Sequence, residues 1–396
     1  MPFAALVLLL STLVNNIASA TWDFSATAEL QSRLFSQDAR WSGQGGRDVQ
    51  FSLSATAEAR WRNEDGNLRM SFIPYARWDD TDSERSLFDL QEAYWAIESG
   101  EYELLIGANT VFWGVTESVH LVDIINQTDA VADIDGEDKL GQPMINLVTQ
   151  RDWGLLGLYV MPYFRERTFA GADGRFRTPL PVATGQTGYE SSADENHIDL
   201  ALRYSHYIGD VDIGVSVFSG TSREPRLLPN AEGTALVPFY DQIQQVGVDL
   251  QYTREAWLWK LETIVREGAS ETFAAAVGGF EFTVYQVGDS AADIGLLLEY
   301  QYDGRGADEP LVTSDNDIFA GARFALNDTQ DTAVLAGVGR DTDTGEMFFN
   351  IEAERRIGED YVIELRARAF SGADPSDLTY TLANDDYVQL QLSRYF

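Results

Sequence analysis

Val49-Gln50-Phe51-Ser52-Leu53-Ser54-Ala55-Thr56-Ala57-Glu58-Ala59-Arg60-Trp61 places an apolar or small residue at every odd position and a polar or charged one at every even position. Side chains of an extended strand point alternately to its two faces, so this stretch makes one greasy face and one polar face. The same period recurs at Leu68, Met70, Phe72, Pro74, Ala76 and Trp78, at Leu156, Leu158, Val160, Pro162 and Phe164, and at Ile294, Leu296, Leu298, Tyr300 and Tyr302. No helical period competes with it after residue 20. Strands of soluble sandwiches average about 5 to 6 residues, whereas a tilted strand crossing a bilayer needs roughly 9 to 11. The runs here are about 10 to 14 residues long, which predicts an all-β fold, a transmembrane antiparallel β-barrel. Trp22, Trp61, Trp78, Tyr252, Trp257, Tyr302 and Tyr361 end many of the greasy faces, as aromatic girdles do at the two lipid–water interfaces.

About 18 such strands can be counted, starting near residues 22, 48, 67, 86, 102, 143, 154, 195, 211, 241, 256, 272, 293, 316, 332, 346, 360 and 386. Weak patterns near 143 and 332 leave 16 possible. Tight connections such as Asn63–Gly66, Ser99-Gly100 and Gly358-Glu359 alternate with mostly longer ones such as Thr110–Gln142, Arg165–Asp194 and Ser371–Asp385. Short periplasmic turns and long external loops are the asymmetry of bacterial barrels, and an even count puts both termini on the periplasmic side.

Residues 1–20 read as a signal peptide: an apolar run from Phe3 to Val14, then Asn15-Asn16, then Ala18-Ser19-Ala20 as a cleavage site, although Met1-Pro2-Phe3 carries no Lys or Arg. Residues 21–396 then form a single barrel, expected in the outer membrane of a Gram-negative bacterium after cleavage. The chain has no cysteine, so nothing in this expectation depends on disulfides. The last strand, Tyr387–Phe396, has Val388, Leu390, Leu392 and Phe396 on one face, interrupted by Arg394. It resembles the assembly signal read by the barrel-assembly machinery. Outer-membrane lipid and lipopolysaccharide are the other expected partners.

With 63 acidic against 28 basic residues, the formal net charge is −35. That argues against nucleic acid, whose phosphates require Lys/Arg patches. Charged residues on the polar faces must point into the lumen, because each Arg near the bilayer midplane costs about 2 to 4 kcal/mol on the lipid side. The basic lumen candidates include Arg60, Arg69, Arg77, Arg203, Lys260, Arg323, Arg366 and Arg368; the acidic ones include Glu29, Glu58, Asp199, Asp249, Glu262, Glu299, Glu352, Glu354 and Glu364. They read either as mutually paired wall residues or as the walls of a water-filled pore that selects small solutes by charge and size.

The stretch from Thr110 to Gln142 breaks the alternation and mixes apolar with acidic residues. Structureless loops longer than about 15 residues are usually functional or disordered. Trp113, Ile124 and Ile125 need burial, while Glu117, Asp123, Asp129, Asp133 and Asp135 cannot enter lipid. The barrel interior satisfies both, so the segment is expected to fold inward as a constriction loop. Trp113, Glu117, Asp123, Asn126, Asp129, Asp133, Asp135 and Lys139 would line it, facing Arg60, Arg69, Arg77, Arg366 and Arg368. An external loop packed on its neighbours is the alternative. Acidic clusters at Asp79-Asp80-Asp82-Glu84, Asp133-Asp135-Glu137-Asp138 and Asp341-Asp343-Glu346 complete no EF-hand, so neither a metal nor a cofactor is expected. A hydrolase would have to use His120, His197 or His206, with Ser118 and Asp199 as sequence neighbours; catalysis is not expected.

Trp113-Gly114, Asp123-Ile124-Ile125-Asn126 and Asp129, an acidic patch with Lys139, and Pro143-Met144 together resemble the signature of a proteobacterial outer-membrane β-barrel family carrying a domain of unknown function. The resemblance covers roughly residues 86 to 165. It implies an outer-membrane channel or an export component acting with inner-membrane partners, without a defined substrate. A porin-like channel for small solutes, an export or lipid-handling component, and an outer-membrane hydrolase therefore stand as the readings, in that order.

Overall fold

The computed structural model describes residues 21–45, 48–372 and 378–396, and the expected signal peptide lies outside the described residues. The wall consists of β1 (Thr21–Phe35), β2 (Val49–Arg62), β3 (Leu68–Asp79), β4 (Leu87–Ser99), β5 (Tyr102–Asn109), β6 (Gln142–Arg151) and β7 (Gly154–Met161). A short β8 (Gly188–Tyr189) lies outside the wall, which continues with β9 (Asp199–Ile208) and β10 (Val211–Thr221). After the loop strands β11 (Arg226–Pro229) and β12 (Leu236–Tyr240) come β13 (Gln242–Arg254), β14 (Trp257–Glu267), β15 (Thr272–Val284) and β16 (Asp293–Asp303). The wall ends with β17 (Asn316–Ala325), β18 (Ala333–Asp341), β19 (Met347–Ile357), β20 (Tyr361–Ser371) and β21 (Tyr387–Tyr395).

Each of the 18 wall strands pairs antiparallel with its predecessor in the wall, and β21 returns to β1 from Phe35↔Tyr387 to Thr27↔Tyr395. This closure follows from the solvent. In hydrocarbon an unpaired N–H or C=O costs several kcal/mol, so a sheet with free edges cannot span. β6 and β18, the weakly patterned strands, each have a full partner on both sides, which removes the 16-strand alternative. The strand pattern misses β8, β11 and β12, which form a separate three-stranded sheet among the external loops and are too short to show a period.

Among the described residues, Pro74 marks the one shift of ladder register. It has no N–H to donate, and across to β4 the register jumps from Ile73↔Glu92 to Pro74↔Leu90, leaving Gln91 as the extra residue of a bulge. At the tight-turn end, Gly100 (φ 62°) and Gly358 (φ 67°) adopt left-handed backbone, which is unstrained without a Cβ. Thr21 sits at this end, in register with Arg62, and Phe396 closes onto Ala26 at 2.9 Å.

The greasy face points outward. Phe51, Leu53, Phe72, Leu158, Leu200, Leu261, Leu298 and Leu365 are each between 38 and 50% exposed, an apolar belt that only lipid can cover. Trp61 departs from its expected girdle role, because it stands in register between Trp22 and Met70 and is buried. The buried apolar residues instead lie inside the ring, where a loop packs on the wall. Leu261→Arg, at mid-strand on the outer face, should lower unfolding stability in lipid vesicles by about 2–4 kcal/mol, whereas Lys260→Arg on the inner face should change it by less than about 1 kcal/mol. Denaturant titration of the reconstituted protein measures both.

Candidate functional site: a segment folded across the lumen

Between Asn109 of β5 and Gln142 of β6 the chain leaves the wall and turns inward. Its apolar residues explain the direction. Trp113, Val122, Ile124 and Ile125 form a buried cluster with the inner-face residues Met144, Tyr159, Met161, Phe218, Ile243 and Ile264. Trp113 meets Tyr159 edge-on at 5.4 Å, and the Arg203 guanidinium lies 4.9 Å above its ring. Asn126 clamps the neck: its amide donates to Asn109 O (2.9 Å) and Leu140 O (2.8 Å), and its Oδ1 accepts from Val111 N (2.9 Å).

A segment without secondary structure must satisfy its backbone by other means. Here two wall carboxylates accept from it. Glu262 of β14 takes the N–H of Val115 (2.7 Å), Thr116 (3.1 Å) and Val122 (3.2 Å). Glu299 of β16 takes those of Glu117 and Ser118, both at 2.9 Å. Glu117 in turn pairs with Arg323 at 2.6 Å and faces Lys260 at 3.8 Å.

The far end of the segment is held by cations. Arg77 of β3 pairs with Asp129 at 2.9 Å. Asp133 is enclosed by Arg366, by Arg368 at 2.6 Å and by the Tyr387 hydroxyl, which donates at 3.1 Å. Arg368 also reaches Asp135 at 2.8 Å. Arg33 donates to Ala132 O at 2.5 Å, and Arg85 donates to Val131 O at 2.8 Å. From β3 to β14 is eight steps around an 18-strand ring, one short of the diameter. The segment therefore crosses the lumen, tied by carboxylates on one side and by guanidiniums on the other.

Not every expected partner takes part. Arg60 pairs with Glu58 at 3.3 Å and Arg69 with Glu103, so neither meets the segment. Both lie within a few residues of the tight turn at Asn63–Gly66, at the end opposite the one where the segment enters. Lys139 stays within the segment, 3.2 Å from Asp123. Arg33 and Arg85 were missed. Strict alternation along β1 puts Arg33 on the inner face with Gln31 and would have found it. Arg85 sits in a one-turn 3-10 helix, Ser83–Arg85, where no period operates.

The electrostatics follow from this packing. Burial alone would raise the Asp133 carboxyl, but Arg368, Arg33 and Arg366 overcome it and hold it down at about 2. Burial inside the barrel, then Asp135 and Asp133, push the Asp138 carboxyl up to about 6, although this side chain is open to lumen water. Asp138 therefore loses its charge on acidification through about pH 6. Burial opposes a charged His120, but Glu137 and Glu262 raise it to about 9. Ser118 donates its hydroxyl to Glu299 at 2.5 Å rather than to His120, and His197 bonds Asp199 at 2.9 Å; no Ser–His–acid contact occurs among the described residues. At the external rim Asp315, Asp317 and Asp341 bring carboxylate oxygens within 4.8 Å of one another, a grouping that includes neither Asp343 nor Glu346.

Beside the segment runs a cavity of about 660 Å³. Its lining extends from Thr313, Ser314, Thr379 and Leu382 in the external loops to Ala333 and Glu354 near the turn end. Eight acidic and eight Lys/Arg side chains line it together with the protonated His120, so the cavity is close to neutral although the chain carries −35. A second cavity of about 310 Å³ lies toward β1–β4 and shares Lys139, Glu364 and Arg366 with the first.

A closed 18-strand antiparallel wall with an outward apolar belt and a charged interior defines a transmembrane β-barrel. No family model and no curated relative matches the chain, so the resemblance of residues 86–165 gains no support there. Solved structures do match. Wzi of Escherichia coli, described as an outer-membrane protein of group 1 capsule assembly and a carbohydrate-binding β-barrel, aligns with TM-score 0.55 and 9% identity over 98% of this chain and 86% of Wzi. Pseudomonas aeruginosa OccK1 (OpdK) aligns with TM-score 0.52 and 10% identity over 94% of this chain and 98% of its own, as does OpdK with vanillate. At these identities the likeness is one of fold.

Asp133→Asn removes the carboxylate between Arg366 and Arg368, but Arg368 keeps Asp135 and Glu352 and Arg366 is part-exposed, so the loss should fall below the roughly 3–5 kcal/mol of a fully uncompensated buried charge. Hydrogen exchange should rise sharply across residues 127–140 and little elsewhere. The Asp133 carboxyl is lower in the folded protein than its ordinary 3.8. Its contribution is thus full above about pH 4 and is lost as pH falls through about 2. The same segment of the native protein should loosen as pH falls through that window, read by exchange at stepped pH.

Proposed function

We propose that the chain is a porin-like channel of the outer membrane, passing small solutes beside the infolded segment, which acts as its constriction. The observation that carries this reading is the cavity lined from the external loops to the turn end. A water-filled path walled by charged and polar groups sorts solutes by size and charge, and the near balance of acidic and basic lining groups makes selectivity moderate. The closed wall and the charged lining favour this over a lipid-handling component, which would need an apolar path or a gap between strands. The family suggested by Trp113-Gly114 and Asp123–Asp129 is part of the same reading, since its members are taken to be outer-membrane channels or export components.

The constriction role makes a size prediction. Deleting Asp129–Lys139 removes the tip tied to Arg77, Arg366 and Arg368. Single-channel conductance should rise severalfold, and liposome swelling should begin to admit larger neutral sugars. Unchanged conductance and an unchanged size limit would show that the segment does not set the passage.

A further inference from the structure

The external end of the passage is built differently from its middle. Arg167, on the loop between β7 and β9, lines the cavity together with Arg266, near the external end of β14, and Arg305, just past β16. Arg266 pairs with Glu224, and Arg305 pairs with Asp303 at 2.7 Å and with Glu224 at 3.3 Å. Both guanidiniums also lie over Phe273, at 5.7 and 5.1 Å, which fixes their orientation. The Arg167 guanidinium makes no ion pair or hydrogen bond among the described residues; only its backbone N–H is engaged, with the Tyr240 hydroxyl at 2.9 Å. Three guanidiniums thus share the two carboxylates Glu224 and Asp303, three minus two leaving an excess of one positive charge. Burial lowers the Arg167 pKa, and Glu224 and Tyr240 offset this only in part. Glu224, meanwhile, is bonded elsewhere: burial would raise its carboxyl, but Arg305 and Arg266, with a lesser Coulombic pull from Arg167, hold it at about 2.

Arg167 is half-buried at the cavity wall, so its spare donors face lumen water and are free to exchange that water for an anion, with which a guanidinium makes stronger, charge-assisted bonds. We propose that this end of the passage is an anion-docking subsite, in which the Arg167 guanidinium, flanked by Arg266 and Arg305, binds the carboxylate of a small hydroxylated organic solute. The planar fork of a guanidinium fits a carboxylate in two parallel bonds. Gln301, Thr313 and Ser314 line the same cavity and supply amide and hydroxyl groups for the solute's own hydroxyls. The subsite deepens the channel reading by naming a class of solute that the passage would capture first.

The test uses the full-length protein in detergent, where binding can be read without conduction. Glucuronate, with glucose as its uncharged counterpart, is titrated by calorimetry into the native protein, Arg167→Gln and Arg167→Lys. The native protein should bind glucuronate and not glucose, with affinity falling as salt rises. R167Q should weaken binding about tenfold or more, and R167K should retain an intermediate affinity, because charge persists while the fork is lost. A retained heat-induced mobility shift shows that both variants are folded. Equal affinity in the native protein and R167Q, or no difference between glucuronate and glucose, would overturn the subsite. In bilayers, glucuronate on the external side should interrupt the native current and not that of R167Q. Binding lost in R167Q but no current from the native protein would uphold the subsite and remove the channel reading instead.

Discussion

Hydrocarbon offers a backbone no hydrogen-bond partner, and the architecture follows from that constraint. Each wall strand must pair on both sides, so the sheet closes from β21 onto β1. Closure with 18 strands fixes a ring far too wide to be filled by wall side chains alone. The interior must then be occupied by water, by chain or by both. Residues 110–141 supply the chain, and the two cavities beside them supply the space for water.

What holds a 32-residue irregular segment across that space is a pair of opposed anchorages. Glu262 and Glu299 accept its backbone N–H groups on the β14–β16 side. Arg33, Arg77, Arg85, Arg366 and Arg368 bind its carbonyls and carboxylates on the β1, β3 and β20 side. Anions bind N–H dipoles and cations bind C=O dipoles, so each wall meets the polarity of the backbone presented to it. Charge-assisted hydrogen bonds of this kind are roughly twice as strong as neutral ones. The segment's apolar half adds a small core against β6, β7, β10 and β14. The acidity that would otherwise dominate the lumen is partly spent on these ties.

The fold was legible in the sequence because the lipid boundary enforces period two strand by strand, and every wall strand begins within a few residues of its expected start. Even Pro74 kept its place, since the ladder absorbs it with a bulge at Gln91 rather than with a break. The inward fold of the segment was legible by elimination, from Trp113, Ile124 and Ile125 beside carboxylates. Its partners were legible only in part. Arg77, Arg366 and Arg368 meet it, whereas Arg60 and Arg69 do not, because alternation reports the face a residue occupies and not its height along the axis. Arg85 and the sheet of β8, β11 and β12 lie in turns and loops, where no lipid boundary imposes a period. Arg167 escaped for the same reason.

The central claim is that solutes pass between the infolded segment and the β16–β20 wall. Because the chain has no cysteine, a single introduced thiol reports its surroundings without a background. Leu335 lines the passage, and Ala201 is buried behind the segment. The most direct measurement is single-channel current through Leu335→Cys and Ala201→Cys before and after a bulky, charged thiol reagent. Modification should sharply reduce the current of the first variant and leave the second unmodified and unchanged. A block at Ala201→Cys with none at Leu335→Cys would contradict the route, placing the passage behind the segment rather than in front of it.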